Sequence, residues 1–454
     1  MGGEVMINRA IRTCSVPLIA ATLFLGQPVP VMDKGPAGLF NTAHAEEDDN
    51  VRRTPAMRQS THKRFSRIRD LVDNDKLDKA FEVWEQMDPS GLNSYERAMR
   101  WKLAAFLYHQ KGDNAAIANA YRKLLEESDI PLSLEQDTWY SLARVEMVRG
   151  SYEAAKKALD EWFALQDEPG GGAYALKAQI HYRQENWEQS LQAINQAIQA
   201  RRDSDEAVSE NWYLLKRGVL YQQEDYQGLA NVLEILVREF PKKSYLMQLS
   251  SVYGELDRPA DQLAVREAAY EKGYLEEESE LVGLAQLMAS QDSPYKAAQV
   301  LRDGIDNGHI EASRKNLERM GDNFLMAKEY EEAINAFRQA ASKVEDGELH
   351  LRMSQIAADL GNWEQAEQYA ATAVERGDFD RLGRAHVVRG LALYHLERFS
   401  QSLQALKQAR QFEETRKMAS QWHDYVEREQ KRRQQLEASA ESGNGQDESA
   451  AQVL

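Results

Sequence analysis

Along most of this chain apolar residues recur at the spacing of amphipathic helices, and the helices come in pairs joined by short polar turns. Nine turn-and-helix phrases align with one another: "KGDNAAIANAY", "RGSYEAAKKAL", "QENWEQSLQAI", "QEDYQGLANVL", "LDRPADQLAVR", "QDSPYKAAQVL", "AKEYEEAINAF", "LGNWEQAEQYA" and "LERFSQSLQAL". The residue opening the second helix of each pair is Asn114, Tyr152, Trp187, Tyr226, Pro259, Pro294, Tyr330, Trp363 and Phe399. Successive gaps between these markers are 38, 35, 39, 33, 35, 36, 33 and 36 residues, which makes the chain an internal repeat. The phrase N-W-E-Q, at Asn186–Gln189 and Asn362–Gln365, is therefore one beat of the rhythm and not a motif used twice.

Two helices that cross closely need small side chains at the crossing. Nine positions before the markers stand Ala105, Ala143, Ala178, Arg217 (beside Gly218), Ser250, Ala285, Gly321, Ser354 and Gly390. Three positions after them stand Ile117, Ala155, Ser190, Leu229, Gln262, Ala297, Ala333, Ala366 and Ser402. Small residues fill most of both columns, and the register departs around Leu229 and Gln262.

This pattern resembles the tetratricopeptide repeat, W-x2-L-G-x2-Y followed by A-x3-F and a late Pro. The unit from Arg314 fits best, through Leu317, Met320, Gly321, Phe324, Ala333 and Phe337, and Pro131, Pro169 and Pro241 suit connecting turns. The resemblance covers roughly Phe65 to Glu414. It implies an all-α fold, a right-handed superhelical solenoid of helix-turn-helix repeats. The expected organisation is a degenerate N-terminal capping repeat at 62–94, with Ile68 in the small-residue position, and about nine repeats over 95–414. A capping helix at 415–439 and a disordered tail at 440–454 would follow.

The N-terminus reads differently. Arg9 and Arg12 precede the apolar run "CSVPLIAATLFLG", and "AHA" at Ala43–Ala45 precedes an acidic stretch. These are the parts of a secretory signal peptide over 1–45, with a run too short to span a bilayer, followed by a flexible leader at 46–61. The only cysteine is Cys14, so removal of the signal would leave no thiol for disulfides, Cys-ligated metals or a nucleophile. An exported, periplasmic protein is the expectation.

Composition narrows the function. With 43% hydrophobic residues the chain can build a large core, and a net charge of −17 argues against nucleic acid as a partner. The nine histidines form no ligand cluster, and no phosphate loop, zinc-protease or nucleophile-elbow motif is present. Gly170–Gly172 follows Pro169 without a preceding strand and reads as an interhelical loop, while His386 and His395 are too far apart on one helix for a shared metal. No cofactor, metal or catalytic residue is expected. The first helices of such repeats line a binding groove. Its positions include Lys102, Phe106, His109, Tyr140, Arg144, Gln179, Tyr182 and Arg183, cations and aromatics suited to an acidic or aromatic peptide, although rings here also pack between repeats. The same positions further on are Lys315, Arg319, Asp322, Gln355, Leu391 and Tyr394. Lys315 and Arg319 match two basic positions of tetratricopeptide domains that clamp a terminal carboxylate. The Asn positions of those domains hold Gln286, Asp322, Gln355 and Leu391, so clamping is not expected.

Seven basic residues, Arg52, Arg53, Arg58, Lys63, Arg64, Arg67 and Arg69, mark the leader and first helix. They read as a solvated tether, with a patch for anionic lipid or peptidoglycan as the alternative and membrane contact at most peripheral. The whole-chain plan resembles exported tetratricopeptide proteins associated with TonB energy-transduction systems. That resemblance implies a non-enzymatic scaffold for protein partners of the cell envelope, such as TonB-like or motor-complex periplasmic segments. The alternatives are a scaffold of another envelope machine, for polysaccharide export, pilus assembly or control of cell-wall synthesis, and a cell-wall hydrolase.

Overall fold

The computed structural model describes residues 56–344, 347–377 and 379–451; the expected signal peptide at 1–45 and the leader through residue 55 lie outside them. The described residues hold helices and turns, and no strand. The fold is an all-α array of helical repeats.

Two compact units divide between Leu256 and Asp257. The first holds α1 (Gln59–Asp73), α2 (Leu77–Glu85), α3 (Ser94–Lys111), α4 (Asn114–Leu125), α5 (Leu132–Val148) and α6 (Tyr152–Ala164). It continues with α7 (Gly171–Arg183), α8 (Trp187–Asp203), α9 (Glu210–Gln222), α10 (Tyr226–Glu239) and α11 (Lys243–Glu255). The second holds α12 (Pro259–Glu271), α13 (Glu278–Ser290), α14 (Pro294–Asp306), α15 (Arg314–Met326) and α16 (Tyr330–Ala341). It ends with α17 (Glu348–Asp359), α18 (Trp363–Arg376), α19 (Leu382–His395), α20 (Phe399–Ala409) and α21 (Arg416–Ala451).

Every one of the nine markers is the first residue of an even-numbered helix, from Asn114 in α4 to Phe399 in α20. The turns share one device. Two residues before each marker the backbone has a positive φ: Gly112, Gly150, Glu185, Glu224, Asp257, Asp292, Lys328, Gly361 and Glu397. A left-handed residue ends the first helix so that the chain can reverse within a short linker. Asp75, before α2, makes the same turn at the degenerate first repeat. Asp113 and Asp225 then cap the second helices by accepting from the backbone N–H of Ala116 and Gly228.

The two small-residue columns are the crossing points. Ala143, Ala178, Ser250 and Ser354 in the first column are fully buried, as are Ala155, Ser190, Ala297, Ala333, Ala366 and Ser402 in the second. A Cβ added at Gly321 would lie 2.5 Å from the Phe337 ring, and one at Gly390 would lie 2.7 Å from Leu406 Cγ. The irregular repeats are irregular for visible reasons. Between α9 and α10 the close approach has moved to Gly228, whose added Cβ would stand 2.8 Å from Leu220 Cδ2. Helix α12, which carries Gln262 in place of a small residue, buries only Ala269.

Both ends differ from the expected bounds. Helix α1 begins at Gln59, inside the segment expected to be a leader. The cause is Arg58, whose backbone N–H (2.9 Å) and side chain both donate to the carboxylate of Glu96 in α3. At the other end α21 runs to Ala451, through most of the expected disordered tail, although Gly443, Asn444 and Gly445 are poor helix formers.

Candidate functional site

In the first unit the first helices of successive repeats lie side by side and touch through the predicted groove positions. Lys102 of α3 is half-buried, and burial pushes its pKa down while Asp137 of α5 opposes the shift. Tyr140 of α5 packs its ring 5.2 Å from Trp162 and reaches α7, its hydroxyl 3.8 Å from where a Cβ on Gly172 would stand. Burial raises the Tyr140 pKa, against which the Arg144 guanidinium acts. Arg144 also faces Tyr121 of α4, whose hydroxyl is hydrogen-bonded to Ser141. Lys102 with Asp137, and Tyr140 with Arg144 and Tyr121, thus form two neighbouring charged and aromatic groups.

The remaining positions are more dispersed. Phe106 is half-buried against the core of the first unit, His109 is exposed and Gln179 half-buried. Tyr182 packs edge-on to Trp187 at 5.2 Å, and its hydroxyl comes within 3.4 Å of where a Gly218 Cβ would sit. Arg183, on the last residue of α7, is exposed and is not drawn into this cluster.

In the second unit Lys315 is exposed, and Arg319 donates to Asn316 Oδ1 at 3.3 Å. Asp322 pairs with Arg352 of the following repeat. Leu391 packs against Val387, Ala409 and Ala419, and the Tyr394 ring lies 6.4 Å from Trp422 and 5.5 Å from Tyr425, so α21 covers these last two positions. His386 and His395 each stack on a ring: His386 on Phe412 at 5.9 Å, His395 on Trp363 of the preceding repeat at 3.8 Å.

Sequence reasoning missed a second set of polar contacts, each joining residues about one repeat apart. Arg217 donates to Gln248 Oε1 at 2.9 Å, and Lys242 and Tyr245 both converge on Glu210. Glu210 also pushes the Tyr245 hydroxyl pKa up, second to burial. Asn316 Nδ2 donates to Glu278 Oε1 at 2.9 Å, and Arg381 pairs with Glu348. The available signal was oppositely charged or polar residues 30 to 38 positions apart, a weak one in a chain this rich in charge.

Among the described residues no group of three or more His, Cys, Asp or Glu is placed to hold a metal ion. No described helix is long and apolar enough to cross a membrane. What the first-helix face offers chemically is charge-assisted hydrogen bonding and ring contact.

The described chain is a run of helix-turn-helix pairs repeating about every 35 residues. No protein-family model matches the chain, and no curated protein matches it. Solved structures similar to it include a tetratricopeptide repeat protein from Parabacteroides merdae, 14% identical, spanning 60% of this chain and 100% of that one, with a TM-score of 0.35. The TPR2AB domain of yeast Sti1, in complex with pHSP90, is 14% identical over 64% of this chain and 98% of its own, with a TM-score of 0.26. YrrB, described as a TPR protein with an unusual peptide-binding site, is 14% identical over 42% of this chain and 97% of its own, with a TM-score of 0.31.

Proposed function

We propose that this protein is a non-enzymatic scaffold that holds extended segments of partner proteins along the first-helix face of its repeats. The observation that carries the reading is half-buried Lys102 of α3 facing the exposed Asp137 of α5, next to half-buried Tyr140 and Arg144 of the same helix. A cation kept partly dehydrated gains more from an incoming carboxylate than one in bulk water, and a neighbouring ring adds stacking area.

The finer setting rests on the sequence. A positively charged n-region, a short apolar run and an Ala-x-Ala site support export to the periplasm of a Gram-negative bacterium. The resemblance of the whole-chain plan to TonB-associated exported proteins supports an accessory role in TonB-dependent uptake, with TonB-like or motor-complex periplasmic segments as partners.

A photo-crosslinking residue at Arg183 or Tyr140, activated in cells and followed by identification of the captured proteins, tests this. Capture of TonB-system periplasmic segments is the expected result. Recovery of pilus or polysaccharide-export components without them would move the scaffold to another envelope machine. Turnover of cell-wall substrate by the purified protein would replace the scaffold with a hydrolase.

A further inference from the structure

From Arg58 to Arg69 the chain carries five Arg and Lys residues and no carboxylate, inside a protein of net charge −17. Most of this stretch is ordered as α1, whose inner side buries Thr61, Phe65 and Ile68. Arg58 is engaged by Glu96, which fixes the start of the helix against α3. Lys63, Arg64 and Arg67 are different: all three are exposed, lie within about 100° of arc on the outer side, and have no ion-pair or hydrogen-bond partner among the described residues. The first acid of the helix, Asp70, is exposed on the same side one turn beyond Arg67, so three cations there face one carboxylate.

We infer that this outer face of α1 docks the N-terminal end of the first unit on an anionic phospholipid surface. A convex helix side with three cations and no pocket presents nothing to recognise a peptide backbone. It suits a plane of mobile headgroups, which can gather under fixed charges. Exposed aromatic platforms, which single-stranded nucleic acid binding uses, are absent from residues 58–69. The acidic remainder of the protein does not cancel the attraction, because charges farther than about 8 Å from the surface are screened at physiological salt. The inference is independent of the groove reading and concerns a different surface.

The test is co-sedimentation of the full chain with phosphatidylethanolamine–phosphatidylglycerol vesicles against phosphatidylcholine vesicles. Binding should favour the anionic vesicles and fall between about 0.05 M and about 0.5 M salt. The triple variant Lys63→Gln, Arg64→Gln, Arg67→Gln should lose on the order of 100-fold in partitioning, and Lys63→Arg, Arg64→Lys, Arg67→Lys should retain it. The replaced side chains are exposed, so both variants should keep wild-type circular dichroism. Equal binding to both vesicle types would assign it to the apolar run at residues 14–26 and overturn the proposal. Unchanged binding by the glutamine variant would overturn it too, as would displacement from anionic vesicles by a stoichiometric amount of duplex DNA.

Discussion

The hydroxyl of Ser402 donates to the carbonyl oxygen of Gly390 at 2.6 Å, across the crossing of α19 and α20. Ser190 does the same to Ala178 at 2.8 Å between α7 and α8, at the same twelve-residue separation. A serine in the second column therefore acts as a small residue that also fastens the two helices. Two substitutions separate size from bonding. Ser402→Ala keeps the space and loses the bond, at about 1 kcal/mol. Gly390→Val puts a Cβ 2.7 Å from Leu406 Cγ and should cost about 2–3 kcal/mol by overpacking. Gly321→Leu, against the Phe337 ring, should behave like Gly390→Val. Urea denaturation followed by circular dichroism measures all three, and an equal loss for Ser402→Ala and Gly390→Val would contradict the crossing geometry.

The left-handed turns give a prediction of opposite sign. Lys328 (φ 62°) and Glu397 (φ 60°) occupy a region that strains a residue with a Cβ, while Gly361 (φ 75°) occupies it freely. Lys328→Gly and Glu397→Gly should each stabilise by about 0.5 kcal/mol, the strain relieved exceeding the extra chain entropy of glycine. Gly361→Ala should destabilise by about 1 kcal/mol. Thermal midpoints would show two rises and one fall.

These two features explain how much was legible in the sequence. Helix crossing restricts residue size at two fixed positions per repeat, so Ala143, Ala155, Gly321 and Ala333 are visible as columns without coordinates. The markers are visible because an aromatic or proline residue begins eight of the nine second helices, Asn114 being the exception. The turn is half visible: Gly112, Gly150 and Gly361 signal it, but Glu185, Lys328 and Glu397 take the same conformation without the expected residue type. The candidate groove residues could be read only as a set of positions, not as an arrangement. Nothing in the periodicity distinguishes Tyr140, which meets Trp162 and α7, from Arg183, which stands apart. The covering of Leu391 and Tyr394 depends on where α21 folds back, and α21 has no counterpart in the repeat.

Arg58 and Glu96 give a pH prediction. The Glu96 side chain is buried, which by itself would raise its pKa. The hydrogen bonds from Arg58, Thr61 and Asn93 overcome that and hold it at about 2, below the ordinary 4.5. A depressed carboxylate stabilises the fold fully above its unfolded pKa, and the stabilisation fades as pH falls from about 4.5 towards 2. Glu96→Gln should cost on the order of 2 kcal/mol at neutral pH, where it removes a charge-assisted bond. The difference in thermal midpoint between wild type and variant should shrink as the pH drops through that window. A constant difference from neutral pH to pH 3 would mean that the carboxylate charge contributes nothing to holding the start of α1.

Arg144 tests whether the first-helix face binds or merely packs. It is half-buried beside Tyr140 and Tyr121, yet the Tyr140–Trp162 contact does not run through it. Arg144→Ala should therefore leave helicity unchanged and the thermal midpoint within a few degrees. If the face holds an acidic segment, loss of this cation should weaken capture of that partner about tenfold or more, as removal of a buried arginine anchor does at an interface. Circular dichroism on the purified variant and crosslinking yield from Tyr140 in cells separate the two effects. Lost helicity with unchanged crosslinking would assign Arg144 to repeat packing, and the binding face would then have to be sought away from α5.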